Sequence, residues 1–220
     1  MNILASAEPA QSLANDLAGA IAPDRDCFIA VSGGSTPRTL FRILGADFAR
    51  RVPWHRVHVF QVDERCVPPD DEQSNWKMLN DELLSRLPAI RAHRIEAERP
   101  RAAEDYEALI RELVPAGPSG IPRLDFVLLG MGVDGHTASL FPGTKALDER
   151  DRLMVLNDVP QLNTQRVTMT YPLIEAAARR WFLVIGADKA EAFARVKRGE
   201  LPAGKLKDAR WYLDPAVLSG

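Results

Sequence analysis

The sequence predicts an α/β fold: a single domain over residues 1–220, built as a Rossmann-like, mostly parallel sheet with helices on both faces. Three observations carry that expectation. Short apolar runs of strand length recur along the chain. Amphipathic stretches of helical period alternate with them, which is the pattern of a parallel sheet covered by helices. Several runs stop abruptly in glycine or in charge, as strands do where the chain leaves a sheet. With 220 residues, 46% apolar and 26% charged, the chain is ordinary globular material. At that length a core forms without staples, because roughly 70% of the unfolded surface is buried.

The elements follow in order. Residues 9–22 carry Leu13, Leu17 and Ile21 on one helical face, stopped by Pro23. Residues 27–31 are a buried strand ending in Ser32-Gly33-Gly34. Thr36 then reads as a hydroxyl N-cap with Pro37 at the first helical position, and Leu40, Phe41 and Leu44 face inward. Residues 57–62 are a second strand, stopped by Asp63-Glu64-Arg65. Ser74 or Asn75 caps a helix reaching Leu87, and Tyr106, Leu109, Ile110 and Leu113 mark another. The Pro- and Gly-rich stretch 115–122 is a loop. Residues 124–129 form a third strand, 153–156 and 167–170 are further candidates, and 181–185 is a strong one before a helix over about 188–197.

Composition removes several function classes. Lys plus Arg total 28 against 30 Asp plus Glu, a formal charge of −2. Such balance argues against a nucleic-acid or membrane-surface binder, so an anionic partner has to be met by a local cationic cluster. Cys27 and Cys66 are the only cysteines, which excludes a disulfide framework or a cysteine-based zinc site. No apolar run approaches the roughly 18 residues of a membrane span. Neither Lys nor Arg precedes Arg25, so no signal or transit peptide is expected, and the expected location is the cytoplasm. The sequence leaves the oligomeric state open.

In a parallel sheet ligands bind beyond the carboxyl ends of the strands, which selects four clusters. Gly33, Gly34, Ser35 and Thr36 combine close backbone approach, hydroxyl donors and a helix N-terminus, as an anion site requires; a plain strand-to-helix turn would use the same residues. Asp63-Glu64-Arg65 is either a solvated strand end or a place where Arg65 grips an oxyanion. In the loop Gly130–His136, Asp134 stands two residues from His136, so a carboxylate can fix the imidazole tautomer, and His136 is read as catalytic. His55, His58 and His93 lack such company and read as structural or surface residues. Arg166 and Lys189 are the fourth cluster: ligand contacts, or simply a salt-bridged Arg and a surface Lys. A cation starting a helix, as Lys189 does, is unfavourable without an anion nearby.

Taken together these segments resemble the glucosamine-6-phosphate isomerase/6-phosphogluconolactonase superfamily. The carrying stretches are SGGSTP at 32–37, VDERCVP at 62–68 with SN at 74–75, LLGMGVDGHTASLFPG at 128–143, RVTMT at 166–170, GADK at 186–189 and RWYLDPAVL at 210–218. The third is the most specific. The resemblance implies hydrolysis of 6-phospho-D-glucono-1,5-lactone to 6-phosphogluconate, with a sugar-phosphate lactone as partner and no cofactor or metal. The sister deaminases resemble this pattern too, but carry a Glu where this chain has Phe141 and a Tyr where it has Arg65. A non-catalytic sugar-phosphate sensor is the other alternative, and it would need an output module for which the matched segments leave no room.

The mechanism expected from these residues is attack of water on the lactone carbonyl. His136 is the base, oriented by Asp134, and returns its proton to the ring oxygen. Arg65 or the amides around Gly33 and Gly34 hold the oxyanion. Ser35, Thr36 and the helix N-terminus take the phosphate, supported by Arg166 and Lys189. Asp63 positions Arg65 or a sugar hydroxyl.

Overall fold

The inner strands of the main sheet separate their alternate residues between two cores, which is why their apolar runs are nearly continuous. In the run Phe126–Leu129, Phe126 and Leu128 pack with the first three helices, while Val127 and Leu129 pack on the opposite face. The computed structural model describes residues 1–219. The main sheet contains β1 (Asn2–Ala5), β2 (Cys27–Val31), β3 (Val57–Gln61), β5 (Arg91–His93), β6 (Phe126–Leu129), β9 (Arg179–Val184) and β10 (Arg210–Leu213). They run parallel in the order β1-β10-β9-β6-β2-β3-β5. Helices α1 (Pro9–Ala20), α2 (Ser35–Asp47) and α3 (Asn75–Glu82) cover one face. Helices α4 (Ala102–Leu113), α5 (Tyr171–Ala176) and α6 (Ala190–Lys197) cover the other.

The two edge strands give no apolar signal in the sequence. All four residues of β1 are exposed, and β5 is a three-residue Arg-Ala-His segment. An edge strand needs only one neighbour and little burial, so periodicity does not mark it.

A second, three-stranded sheet joins β4 (Asp63–Arg65), β8 (Thr164–Met169) and β7 (Met154–Val159) in the order β4-β8-β7. The candidate strands at 153–156 and 167–170 therefore exist but do not join the parallel sheet. They form a hairpin, turned by a short segment ending in Asn163 at φ +46°. A connection that short permits only antiparallel pairing. Asp63-Glu64-Arg65 is corrected in the same way: β3 ends at Gln61 and the triplet is itself a strand, paired with β8. Two helix starts also move. α2 begins at Ser35 on an N-cap Gly34 at φ +105°, without a side-chain cap from Thr36 and with Pro37 inside the first turn. Lys189 ends a short 3-10 turn, Ala187–Lys189, from which α6 continues.

At the amino end of the sheet the His58 Nδ1 and His93 Nε2 atoms lie 3.0 Å apart, and Arg91 donates toward His58 Nε2 at 3.0 Å. His93 also stacks on Phe60. Burial, reinforced by His58 and Arg91, lowers the His93 imidazole from its ordinary 6.5 to about 4. The unfolded chain therefore holds more protons between those values, so stability falls as pH drops from 6.5 toward 4. Thermal melting across that window should show a decline that is shallower in His93→Gln. An identical slope in the variant would refute this source of acid sensitivity.

Candidate active site

From β2 the chain steps outward to β3 and β5, then returns to β6 on the other side of β2. The strand order reverses between β2 and β6, and a crevice opens where the loops leaving these strands diverge. The cleft there has a volume of about 240 Å³. Ser32 to Pro37 line it after β2, Gly130 to Gly132 and His136 to Ala138 after β6, and Lys189 beyond β9. The small sheet contributes Asp63, Arg65 and Arg166, and α3 contributes Asn75. All the candidates chosen from the sequence thus meet in one cleft except Asp134, which lies directly behind His136.

His136 Nδ1 is 2.6 Å from Asp134 Oδ1, and the His136 amide donates to the same oxygen at 3.1 Å. Burial raises the Asp134 carboxyl, but the hydrogen bonds and charge of His136 outweigh it and hold the group below its ordinary value. An ionised Asp134 accepts a hydrogen bond from Nδ1–H, leaving Nε2 as the lone-pair nitrogen. The loop closes on itself: the Gly132 amide donates to the His136 carbonyl at 2.9 Å. Gly132 is required there, because a Cβ at this position would stand 2.2 Å from His136 Nδ1.

The β4–β8 ladder sets Arg65 directly opposite Arg166. Like charges facing each other across a ladder are destabilising. Neither guanidinium has a carboxylate within salt-bridge distance among the described residues. Arg65 donates to the Gln73 carbonyl, and Arg166 lies 5.8 Å from the Phe141 ring centroid. Burial lowers the Arg166 pKa, although arginine stays protonated throughout the physiological range. Among the described residues six buried side-chain polar atoms lack a hydrogen-bond partner, and five line this cleft: Ser32 Oγ, Arg65 Nε, Asn75 Oδ1, Thr137 Oγ1 and Arg166 Nε. Buried polar groups are normally satisfied, so their concentration here marks a place shaped for a polar ligand.

The N-terminus of α2 adds backbone donors. Its cap is a glycine, so the Ser35 and Thr36 hydroxyls are not consumed in capping. Gly33 is fixed by the approach of α3: a Cβ there would fall 1.9 Å from Asn75 Oδ1. Lys189 Nζ is 3.1 Å from Asp188 Oδ2, whose side chain is 62% exposed and so a weak partner.

Asp63 is buried and accepts a 2.6 Å hydrogen bond from Ser139 Oγ. Glu64 points the other way and has a structural task that the sequence did not reveal. Its Oε1 accepts from the amides of Arg65 and Asn75, and its Oε2 from the Trp76 amide, Gln61 Nε2 and Ser74 Oγ. It ties β4 to the positive end of α3, whose own cap is Ser74 accepting from the Lys77 amide. Glu64→Gln would turn an NH₂ group toward buried donors, at an expected cost of about 1–3 kcal/mol. Urea unfolding would measure it, and an unshifted midpoint would contradict the clamp.

Sequence reasoning assigned no role to Thr137 or Ser139, and read Phe141 only as a departure from the sister deaminases and Asn75 only as a candidate helix cap. Thr137, Ser139 and Phe141 lie inside the Gly130–Pro142 segment, where polar and apolar residues carry no periodic signal of burial. Three larger surface clefts, of about 560 to 590 Å³, contain none of the unpartnered atoms. No cluster of three metal-ligating side chains occurs among the described residues.

This architecture has close counterparts. The sequence model of the family described as glucosamine-6-phosphate isomerases/6-phosphogluconolactonase matches residues 4–213. The chain is 43% identical over 205 residues to a 6-phosphogluconolactonase of Nostoc sp., covering 86% of this chain and 82% of that protein. It is 36% identical over 222 residues to 6-phosphogluconolactonase 3, chloroplastic, of Arabidopsis thaliana, covering 93% and 68%. The crystal structure of 6-phosphogluconolactonase from Leishmania guyanensis matches with a TM-score of 0.89 at 26% identity, covering 100% of this chain and 98% of that one.

Proposed function

The chain belongs to the glucosamine-6-phosphate isomerase/6-phosphogluconolactonase family, and from that premise we propose that it hydrolyses 6-phospho-D-glucono-1,5-lactone to 6-phospho-D-gluconate in the oxidative pentose phosphate pathway. It is a carboxylic ester hydrolase. The observation that carries the reading is the meeting, in one cleft, of the His136–Asp134 pair with two arginines that form no salt bridge among the described residues. Hydrolysis of an anionic lactone needs these two elements, a base for water and fixed positive charge for the substrate.

His136 takes a proton from water through Nε2 while Nδ1–H stays bonded to Asp134, whose charge stabilises the imidazolium. The hydroxide equivalent adds to the lactone carbonyl and gives a tetrahedral oxyanion. Arg65 and the amides at Gly33 and Gly34 are its donors. Collapse of the intermediate breaks the ring C–O bond, and the imidazolium returns its proton to the departing ring oxygen. The phosphate carries about −1.5 to −2 charges at pH 7. Ser35, Thr36 and the N-terminus of α2 receive it, with Arg166 and Lys189 adding charge. Asp63, held by Ser139, orients a sugar hydroxyl or Arg65.

Phe141, against His136, supports lactone hydrolysis over amino-sugar isomerisation, because the resemblance places an acid/base Glu there in the sister enzymes. The cytoplasm as location belongs to the same proposal, supported by the free thiols of Cys27 and Cys66. No helix among the described residues is long and apolar enough to cross a membrane.

The test uses freshly prepared 6-phosphogluconolactone, with product captured by 6-phosphogluconate dehydrogenase. The purified protein should accelerate product formation well above the spontaneous rate. Absence of acceleration, or ammonia release from glucosamine 6-phosphate, would overturn the reading.

A further inference from the structure

One buried aromatic ring touches both halves of the proposed machinery. The Phe141 side chain is 2% exposed. Its ring stacks on His136, with centroids 3.9 Å apart and planes inclined by 25°. The same ring has the Arg166 guanidinium carbon 5.8 Å from its centroid, within cation–π reach. The base and the guanidinium come from different parts of the fold, one from the loop after β6 and the other from strand β8.

The backbone on either side of Phe141 is fastened to the hairpin that carries Arg166. Asn157 is buried on β7 and is the cross-strand partner of Arg166. Its Nδ2 donates to the Ser139 carbonyl at 2.8 Å and to Thr144 Oγ1 at 3.1 Å. Thr144 Oγ1 in turn donates to the Phe141 carbonyl at 2.8 Å. A single amide thus holds the segment two residues before the ring and three residues after it. The Asn157 amide fixes where the ring sits, and the ring presents one rigid surface to both the imidazole and the guanidinium.

We propose that Phe141 is a positioning residue that sets the separation between the His136 base and the Arg166 anion contact, with Asn157 fastening it to the β7–β8 hairpin. The proposal rests on the lactonase reading above. Substrate orientation follows from it: an anion held by Arg166 brings the lactone carbonyl to a defined place relative to His136 only if the two side chains keep a fixed spacing. An aliphatic residue would fill the space without a flat face for either group.

Phe141→Leu and Phe141→Met remove the ring while keeping an apolar side chain. Thermal melting shows whether each variant folds, and initial rates give kcat and KM. Loss of the cation–π contact should raise KM about fivefold. Loss of the stacked face should lower kcat about fivefold to tenfold. In an Arg166→Met background the Phe141→Leu change should no longer raise KM, because the coupled partner is gone. Wild-type kcat and KM in both variants would overturn the proposal. So would an undiminished KM increment in the Arg166→Met background, or loss of the fold in both variants, since the ring would then be ordinary core. Failure of the wild-type protein to hydrolyse the lactone would instead remove the functional reading, and that is seen before any variant is made.

Discussion

His136→Asn should slow lactone hydrolysis at saturating substrate by about 10²–10⁴-fold, the range contributed by a positioned general base. Nε2 is the only imidazole nitrogen free for water, because Nδ1 is engaged by Asp134 at 2.6 Å. KM should change far less, since the anion contacts remain. Rates must be corrected for spontaneous ring opening. Near-normal kcat in the variant would refute the assignment of the base while leaving the reaction itself standing. Asp134→Asn should reduce kcat as well, because the imidazolium loses its counter-charge. The cleft lining would be unaltered, since Asp134 stands behind the imidazole.

Arg166→Met should raise KM by about tenfold to a hundredfold, the value of one charge-assisted hydrogen bond to a phosphate. The same substitution should stabilise the ligand-free protein, because it removes a buried guanidinium whose desolvation, with Arg65 opposite, outweighs the attraction of Asp63 and Glu64. The two effects have opposite signs and one origin. A buried guanidinium with a second one opposite it is unfavourable until an anionic ligand lies against it, which is the trade of stability for binding expected at a functional site. Steady-state kinetics and thermal melting of the same preparation check both. An unchanged KM would exclude Arg166 from substrate binding, and an unchanged or lower Tm would show that burying the Arg166 charge does not cost stability. Arg65→Met should relieve the same repulsion but act mainly on kcat, if Arg65 serves the oxyanion.

Much of the central sheet is legible along the chain because its strands are buried on both faces. Cys27–Val31 and Phe126–Leu129 are unbroken apolar runs for that reason. The edge strands β1 and β5 are not legible, since one neighbour and an exposed face impose no pattern. Glu64 illustrates the limit for single residues. Its carboxylate meets Asn75 and Trp76 amides 11 and 12 residues away, and nothing local in Asp63-Glu64-Arg65 distinguishes that buried clamp from the two cleft residues beside it.

Read along the chain alone, the residues establish the α/β class, the placement of Gly33–Thr36, Asp134–His136 and Lys189 beyond strands of the main sheet, and the chemistry those residue types can perform. Local propensity and the period of burial are enough for that, because each is a property of a few consecutive residues. Only the tertiary structure decided that Val167 and its neighbours leave the parallel sheet for a hairpin. The same choice set Arg166 against Arg65, turned Glu64 inward and brought Phe141 against His136 and Arg166. Strand pairing and side-chain packing join residues distant along the chain, and the free energy that selects one partner over another appears only when both are present.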